Sequence, residues 1–416
     1  MIEDIVNSSP YPCESYHEIS DTLLYSYGAR KDLECHHADG VGITTVVSGT
    51  MGFASTSNVE NVKEAYELSK KFARYGSRRR DLPLPSSPAA VQSCFDPRIA
   101  KADPDDVVDL AEEILQNVPP SCKVVDETLL LKMQEIHITN SNGVNVSRKS
   151  TLAVLDITLN HEILNSSFYS CFYTRMWDMN WHLSEEIDRW IENSQHKCDI
   201  EAGEIQVIFS PLALSRILDA VFVPAFSGGL PEVYERLSVA DKSMASKIDI
   251  YDHGTLKGGR GTEPFDGEGV PQQVTPLVEK GYFVSGIYDT TSAKVLGKGS
   301  TGNAVRESFE DIPEVYITNL FIPPVVKTEE LISETKNGIY IGDLFGAYIA
   351  NPPSGTFTST ISRSYRIQKG EIRGILPPKT VEGDIFSLLK NLMPGDDIKK
   401  IDHYVVPSSK TTAKIY

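Results

Sequence analysis

The sequence has no long apolar run and no clustered cysteines, and both absences restrict its class. No stretch of about 18 apolar residues could span a bilayer, and no N-terminal stretch resembles a signal peptide. The six cysteines are scattered without any C-x-x-C spacing, which is typical of free thiols in a reducing compartment. We therefore expect a cytoplasmic protein that does not bind a membrane.

Basic residues are also few. Lys and Arg total 40 against 57 Asp and Glu, which gives a formal net charge of −17. A chain this acidic is repelled by phosphate backbones, so direct binding to nucleic acid is not expected. The one basic run, Arg78–Arg80, lies close to several prolines and serines. We interpret it as part of a solvated linker, with a phosphate contact as the alternative.

Histidine is missing from a predicted helix, Ser210–Val223, that directly follows the apolar strand Glu204–Phe209. Ser210 suits the cap position of this helix and Pro211 its first turn. A metal-hydrolase helix needs two histidines on one face and a glutamate that activates water, but the only acid here is Asp219. The apolar residues share one face at 3.6-residue spacing, and they are Leu214, Ile217, Leu218, Val221 and Phe222. The helix is therefore predicted to pack rather than to bind a metal.

Composition divides the whole chain into four segments. A length of 416 residues allows two or three domains. We predict an N-terminal α+β region over 1–76 and a Pro/Ser/Arg-rich linker over 77–103. A middle α/β region with a long hairpin follows over 104–200, and a β-rich C-terminal domain over 201–416.

Local signals place several elements inside these segments. Ser48-Gly49 and Asn142-Gly143 each join two apolar runs and predict tight hairpins. Helices are predicted over Val59–Tyr75, from Asp103-Pro104 onward, and over about His182–Ser194. The remaining C-terminal half is predicted to consist mainly of strands separated by Gly and Pro turns.

Two clusters suggest ligand binding, and each has a simpler alternative. Cys35, His36 and His37 are adjacent, and alternate strand residues face the same side, so only Cys35 and His37 could share a metal ion. The alternative is an ordinary strand end. Gly258–Gly261 resembles a phosphate loop, but Glu263-Pro264 follows it instead of Lys-Ser/Thr and a helix. A turn is therefore predicted there.

The strongest signal is a set of five motifs along the chain. They are GTMGFASTSN at Gly49–Asn58, TNSNGVNVS at Thr139–Ser147, D-x-E-G-x-P at Asp266–Pro271, S-T-G-N at Ser300–Asn303 and T-N-x-x-x-x-P at Thr318–Pro324. In this order they resemble the TldD/PmbA family, once described as modulators of DNA gyrase and now understood as metalloproteases. The resemblance runs from about Gly40 to the C-terminus.

The resemblance implies an α+β fold, with an α/β N-terminal region of repeated β-α-β motifs and a β-rich C-terminal domain. TldD-type members carry an H-E-x-x-x-H zinc motif on the helix that corresponds to Pro211–Val223. Because this helix has no histidine, the chain resembles the PmbA or TldE branch, whose members partner the metal-bearing subunit.

For this branch the resemblance implies that the chain itself holds no cofactor and that zinc lies in a TldD-type partner. It further implies a heterodimer with that partner, or a homodimer when the chain is alone. The implied substrate is an unfolded peptide, bound as an added strand in a chamber between subunits.

Two of the motifs also supply the candidate site. Asp266–Pro271 and Ser300–Asn303 combine glycine, small polar side chains and acids, which suit turns and hydrogen bonding better than core packing. They flank a predicted hairpin of Val274–Val278 and Tyr282–Tyr288. The residues predicted to contact the substrate or the partner are Asp266, Glu268, Gly269, Ser300, Thr301, Gly302 and Asn303.

Other interpretations of the candidate site and of the chain stay open. Asp266 and Glu268 could be paired carboxylates for acid–base chemistry, and the glycines could simply hold strained turns. The chain as a whole could be a non-proteolytic homodimeric binding or modulatory protein, or an independent hydrolase that uses other residues. No catalytic residue and no metal ligand is assigned in this chain.

Overall fold

The computed structural model describes residues 2–76, 80–227 and 248–416, and for 346–348 it describes only the backbone. The predicted α+β class is confirmed. Strands form two large sheets and a third region that closes into a ring, and short helices cover them. No helix among the described residues is long and apolar enough to cross a membrane.

The N-terminal sheet has six strands in the order β3-β2-β1-β4-β5-β6, and every neighbouring pair is antiparallel. The strands are β1 Cys13–Tyr27, β2 Lys31–Val47, β3 Thr50–Thr56, β4 Lys123–Asn140, β5 Asn145–His161 and β6 Ser166–Thr174. Because β1 pairs with both β2 and β4, the segments 1–76 and 104–200 contribute strands to one continuous sheet.

Five helices accompany this sheet. They are α1 Ile2–Ser8, α2 Val62–Ala73 (preceded by a 3₁₀ turn, Val59–Asn61), α3 Pro97–Ala100, α4 Pro104–Gln116 and α5 Leu183–Asn193. Asp103 and Asp106 form a capping box at the start of α4, as the Asp-Pro signal indicated. Two apolar cores hold the helices to the sheet, one beneath α1 and α2 and one beneath α4 and α5. The predicted helices are thus confirmed, and α2 ends at Ala73 rather than at Tyr75.

Both predicted tight hairpins are present. Val47 pairs with Thr50, and Ser48 and Gly49 both have positive φ, at 54° and 82°, as a two-residue hairpin of this kind requires. At the second hairpin, the Gly143 N–H donates to the Asn140 carbonyl at 3.0 Å. Turn chemistry of a few residues therefore fixed the register of these long strands.

In the C-terminal region five strands close into a ring. β14 pairs with both β7 and β15, and β21 and β17 complete the circuit. The strands of this region are β7 Gly203–Phe209, β14 Asn337–Asn351, β15 Thr356–Gln368, β16 Glu371–Ile375, β17 Lys379–Asp384, β18 Met393–Pro394 and β21 Ser409–Ile415. The accompanying helices are α6 Pro211–Ile217, a π-helical turn Leu218–Phe222, α7 Val223–Phe226, α8 Thr290–Val295, α9 Thr328–Ser333 and α10 Ile385–Lys390.

A second sheet packs beside this ring. Its order is β10-β9-β8-β13-β20-β19, and a separate pair joins β11 to β12. The strands are β8 Ile250–His253, β9 Val274–Glu279, β10 Tyr282–Phe283, β11 Ala304–Val305, β12 Glu314–Val315, β13 Leu320–Phe321, β19 Lys399–Ile401 and β20 Tyr404–Val406. One large apolar core joins the ring, this sheet and the helix that follows β7.

The predicted hairpin after Val274 is present, but its second strand is shorter than predicted. β10 ends at Phe283, and Ile287 instead donates its N–H to the Phe226 carbonyl at 2.9 Å. The chain therefore leaves the sheet edge and packs against α7, whose aromatic side chain Phe226 contacts Phe283 edge-on.

The interpretation of the basic run as a solvated linker is wrong at Arg80, while Arg78 and Arg79 lie outside the described residues. Arg80 is buried. The segment after it has no regular structure, but the side-chain amides of Asn140 and Asn142 bond to its backbone at Pro83 and Leu82. The segment is thus fixed across a hairpin tip of the N-terminal sheet.

Candidate functional site

The D-x-E-G-x-P segment is a loop organised around one buried carboxylate. Asp266 Oδ1 accepts the backbone N–H groups of Glu268 and Val270, each at 2.9 Å, and Oδ2 accepts that of Ala304 at 3.0 Å. Gly269 adopts φ 82°, a left-handed conformation that favours glycine. Asp266 therefore closes its own loop and fastens it to the residue that follows the S-T-G-N motif.

Glu268 faces a different set of partners. Its two oxygens accept the backbone N–H and the hydroxyl of Thr290 at 2.9 and 2.8 Å, at the start of α8. Arg80 Nη2 lies 3.3 Å from Glu268 Oε1. Burial and the Glu268 carboxylate raise the pKa of Asp266, and burial raises that of Glu268, where Arg80 opposes the shift.

Arg80 connects this loop to the N-terminal sheet. Its Nη2 bonds both oxygens of Glu14 on β1, at 2.8 and 2.9 Å, and Arg306 also pairs with Glu14. All four side chains, two arginines and two glutamates, are fully or almost fully buried. Because a buried carboxylate needs a compensating cation, this cluster joins β1, the segment after residue 79 and the C-terminal loops into one unit.

The S-T-G-N segment is also held by hydrogen bonds within the chain. Asn303 is fully buried, and its Nδ2 donates to Asp252 Oδ2 at 2.7 Å and to the Tyr316 carbonyl at 2.9 Å. Its Oδ1 accepts the Thr301 hydroxyl at 2.7 Å. Gly302 has φ 74°, and Ser300 is half-buried. Both donors of the Asn303 amide are therefore used inside the protein.

The T-N-x-x-x-x-P segment bonds to Asp252, the same carboxylate that accepts from Asn303. Asp252 Oδ1 accepts the Thr318 N–H at 2.7 Å, and Oδ2 accepts the Thr318 hydroxyl at 2.9 Å. Burial raises the pKa of Asp252 to about 6 against these bonds. Asn319 holds the Gly258–Gly261 turn by accepting the Gly261 N–H at 3.2 Å. That glycine run is a turn, as predicted, and no helix follows it.

Three of the five sequence motifs thus converge on one buried polar centre. The structure places the seven predicted residues near one another, since the Ala304 N–H donates to Asp266 and the Gly267 N–H donates to the Ala304 carbonyl at 2.6 Å. The centre positions loops and strands through bonds within the chain. Direct contact of these seven residues with substrate or partner stays a prediction.

The helix after β7 shows a feature that sequence spacing did not indicate. Between Leu218 and Phe222 it widens into a π turn, in which the Val223 N–H bonds the Leu218 carbonyl five residues back. A π turn brings residues five apart onto one face, the spacing of the two histidines in H-E-x-x-x-H. In this chain the two residues that the widened turn joins are Leu218 and Val223, and both are buried and apolar.

The sequence analysis did not predict the contacts of Asp219, a polar residue on this turn. Asp219 is exposed, and its Oδ1 accepts the hydroxyls of Tyr316 and Tyr404 at 2.7 and 2.6 Å. Burial and the Asp219 carboxylate raise the pKa values of both tyrosines, so the phenols stay protonated as donors. The three residues are far apart in sequence and belong to no recognisable motif, so no local signal could have grouped them.

The Cys-His-His cluster lies on the exposed part of β2. His37 Nδ1 bonds Asp21 at 2.7 Å and His36 Nε2 bonds Glu34 at 2.7 Å, each as a separate pair with an acid. Across residues 2–76, 80–227 and 248–416, no three His, Cys, Asp or Glu side chains gather to hold a metal ion. The described residues therefore do not bring a third ligand to Cys35 and His37.

The chain is similar to several known proteins. The family model for the PmbA/TldA metallopeptidase C-terminal domain matches residues 202–413. An uncharacterized protein of Methanocaldococcus jannaschii is 26% identical, over 93% of each chain. The metalloprotease TldD homolog of Buchnera aphidicola subsp. Schizaphis graminum is 33% identical, but the match spans 39% of this chain and only 34% of that relative.

Two solved structures share the fold over nearly their whole length. TldE from Thermococcus kodakarensis superposes with a TM-score of 0.86 at 23% identity, covering 97% of this chain and 96% of that one. A putative modulator of a DNA gyrase from Thermotoga maritima superposes with a TM-score of 0.87 at 19% identity, covering 100% and 98%. With the family model matching 202–413 of the 416 residues, the chain belongs to the TldD/PmbA family.

Proposed function

We propose that this protein is a PmbA/TldE-type subunit of a cytoplasmic TldD/TldE metallopeptidase complex that cleaves unfolded peptides. Zinc and catalysis come from a TldD-type partner that carries H-E-x-x-x-H. The observation that carries the proposal is the helical segment after β7, Pro211–Val223, which contains no histidine and whose π turn at Leu218–Phe222 buries Leu218, Val221 and Phe222. A segment of this composition packs into the core and offers no histidine ligand for zinc.

The chemistry of the described residues supports this division of work. A zinc ion that activates water needs three side-chain ligands of the His, Cys, Asp or Glu type. Neither Leu218 nor Val223 can serve, and the nearby Asp219 is engaged by two phenols. In this proposal the partner's zinc activates the water for hydrolysis, and we assign this chain no catalytic step.

Co-expression with an H-E-x-x-x-H homologue tests the proposal. We expect the two chains to co-purify and to cleave an unfolded peptide, while this chain alone leaves the peptide intact. A chelator should abolish the activity of the pair, and replacing the glutamate of the partner's motif by Gln should do the same. Asp219→Asn in this chain serves as the matched control, since it removes the only acid on the helix and should leave turnover within twofold.

Two results would replace the proposal. Cleavage by the purified chain alone, unaffected by chelator, would identify an independent hydrolase. A stable homodimer that never joins the homologue and never affects peptide turnover would identify the non-proteolytic binding or modulatory protein instead.

A further inference from the structure

A cavity large enough for a ligand lies apart from the polar centre described above. Its volume is about 640 Å³, within the usual range for small-molecule and peptide sites. β6 and α5 of the N-terminal sheet form one wall. β14, β15, the start of α6 and residues 397–401 form the other.

The wall on β6 is a row of aromatic rings. Phe168 and Phe172 are four residues apart on the same face of the strand, so they lie about 13 Å apart. The ring of Trp190 stacks on Phe168 with centroids 5.4 Å apart, and the ring of Trp181 stacks on Phe172 at 6.2 Å. This row is an elongated apolar surface rather than a compact pocket for one ring.

At the Phe168 end of the row lies an arginine that pairs with no carboxylate among the described residues. The Arg363 guanidinium stands 4.8 Å above the Phe168 ring, and its Nη2 donates a long hydrogen bond of 3.4 Å to the Gly342 carbonyl. Its Nη1 is buried without an acceptor in the described part of the chain. Asp343, which opposes Arg363 in the strand register, instead binds Arg216 at 2.8 Å.

The acids that line the cavity are already engaged. Glu186 pairs with Lys399, and Glu185 with His182 at 3.1 Å. Asp397 accepts the hydroxyls of Thr328 and Ser408 at 2.7 and 2.6 Å. Within 2–76, 80–227 and 248–416, the positive charge of Arg363 is therefore not paired with an acid that lines the cavity.

At the opposite end of the row, the Trp181 indole N–H is a second buried donor with no acceptor among the described residues. An unpaired buried donor costs free energy that an incoming acceptor recovers. Reorienting either side chain toward a ligand breaks no strong hydrogen bond within the protein. The cavity thus holds two buried donors without acceptors among the described residues, Arg363 beside Phe168 and Trp181 beside Phe172. Its lining also includes the basic residues Arg189, Lys399 and Lys400.

We propose that this cavity binds the C-terminal segment of an extended peptide, with its terminal carboxylate on Arg363 and a backbone carbonyl on Trp181. An extended chain spans about 3.3–3.6 Å per residue, so a peptide that runs beside β6 from Phe168 to Phe172, about 13 Å, covers the row with about four residues. Arginine suits a carboxylate because its planar guanidinium donates two parallel bonds. An apolar side chain of the peptide would lie beside Phe172, because Trp190 and Arg363 already cover the ring of Phe168.

The proposal takes peptide as the ligand from the proposed function, but its test uses the isolated chain and needs no partner. The probes are an N-acetylated four-residue apolar peptide with a free carboxylate, the same peptide as its C-terminal amide, and phenylacetate. Binding is measured by isothermal titration calorimetry and by the change in tryptophan emission. Failure to join a metal-bearing homologue would overturn the proposed function and leave this result intact.

We expect the free-acid peptide to bind at least tenfold more tightly than the amide, and phenylacetate to bind more weakly than the peptide because it reaches one end only. Arg363→Gln should reduce the affinity for the acid to that for the amide. Trp181→Phe, which keeps the ring and removes the donor, should weaken both peptides by a few-fold. Arg366→Gln is the control, since Arg366 lies on the same strand but bonds Gly338 and Asn337 outside the cavity.

Equal affinity for acid and amide, or an Arg363→Gln protein that binds like wild type, would overturn the proposal. Phenylacetate that binds as tightly as the peptide would show a site for small aromatic acids rather than peptide ends. If Arg363→Gln fails to fold, the acid–amide comparison on the wild-type chain together with Trp181→Phe decides the outcome.

Discussion

Asn303 donates a hydrogen bond to Asp252 at 2.7 Å, and neither side chain is accessible to solvent. The bond joins the S-T-G-N motif to strand β8, 51 residues earlier in the chain. The S-T-G-N motif resembles a binding loop, but this bond shows that it also stabilises the fold. Variants of Asn303 and Gly302 distinguish a role in stability from a role in contacting other molecules.

Asn303→Ala should lower the free energy of unfolding of the isolated chain by about 1–3 kcal/mol, because it leaves buried acceptors of Asp252 and Tyr316 without their donor. Urea denaturation followed by circular dichroism measures this. Asn117→Ala, at an exposed helix end, is the control and should change little. Wild-type stability combined with lost assembly or lost peptide turnover would instead support the predicted contact with partner or substrate.

Gly302→Ala should destabilise the protein strongly. A Cβ at this position would lie 2.5 Å from the Pro271 carbonyl, and the left-handed backbone at φ 74° costs a non-glycine residue about 1–2 kcal/mol in addition. Thermal melts measure the effect. Gly299→Ala is the matched control, since no atom lies within 4 Å of its added Cβ. Equal melting temperatures for the two variants would contradict the role of Gly302 in holding the turn.

Arg80→Met should cost about 3–5 kcal/mol of stability, because it leaves the buried Glu268 carboxylate without its cation and Glu14 with only Arg306. The same denaturation experiment serves here. Lys31→Met breaks an exposed pair with Glu112 and should have little effect. An Arg80→Met protein as stable as the Lys31 variant would restore the interpretation of this residue as part of a solvated linker.

Glu127 should make stability depend on pH. It is fully buried, neither carboxylate oxygen has a partner among the described residues, and burial raises its pKa from 4.5 to about 7. A raised folded-state pKa means that its favourable contribution is complete below pH 4.5 and is lost as pH rises through 7. The stability of Glu127→Gln relative to wild type should therefore increase over this range, by roughly 2–3 kcal/mol.

Denaturation of wild type and Glu127→Gln at a series of pH values checks this. Glu112→Gln, at an exposed position on α4, gives the comparison. A constant difference between Glu127→Gln and wild type would show that Glu127 stays ionised in the folded protein.

The isolated protein should hold no stoichiometric zinc, and a chelator should leave its melting temperature unchanged. The reason is that the helical segment after β7, Pro211–Val223, contains no histidine. Elemental analysis after growth in zinc-supplemented medium is the measurement. Nearly one zinc per chain that survives dialysis would contradict the prediction and direct attention to Cys35 and His37.

The sequence by itself determined the features that depend on neighbouring residues. Ser48-Gly49 and Asn142-Gly143 fixed two hairpins, because tight turns need residues that tolerate positive φ, which Ser48, Gly49 and Gly143 adopt. The Asp103-Pro104 signal fixed the start of α4 through its capping box. The sequence alone shows that Pro211–Val223 has no histidine, and the order of the five motifs was enough to indicate the family.

Only the tertiary structure decided what the polar residues of those motifs do. Arg80 reaches Glu14 across 66 residues and Arg306 reaches it across 292, so a run that is basic in sequence becomes part of a buried ion-pair cluster. Asp219 gains its two tyrosines in the same way. Turns and caps are set by energies within a few residues, whereas burial and charge pairing arise when distant surfaces pack and exclude water, which no local spacing specifies.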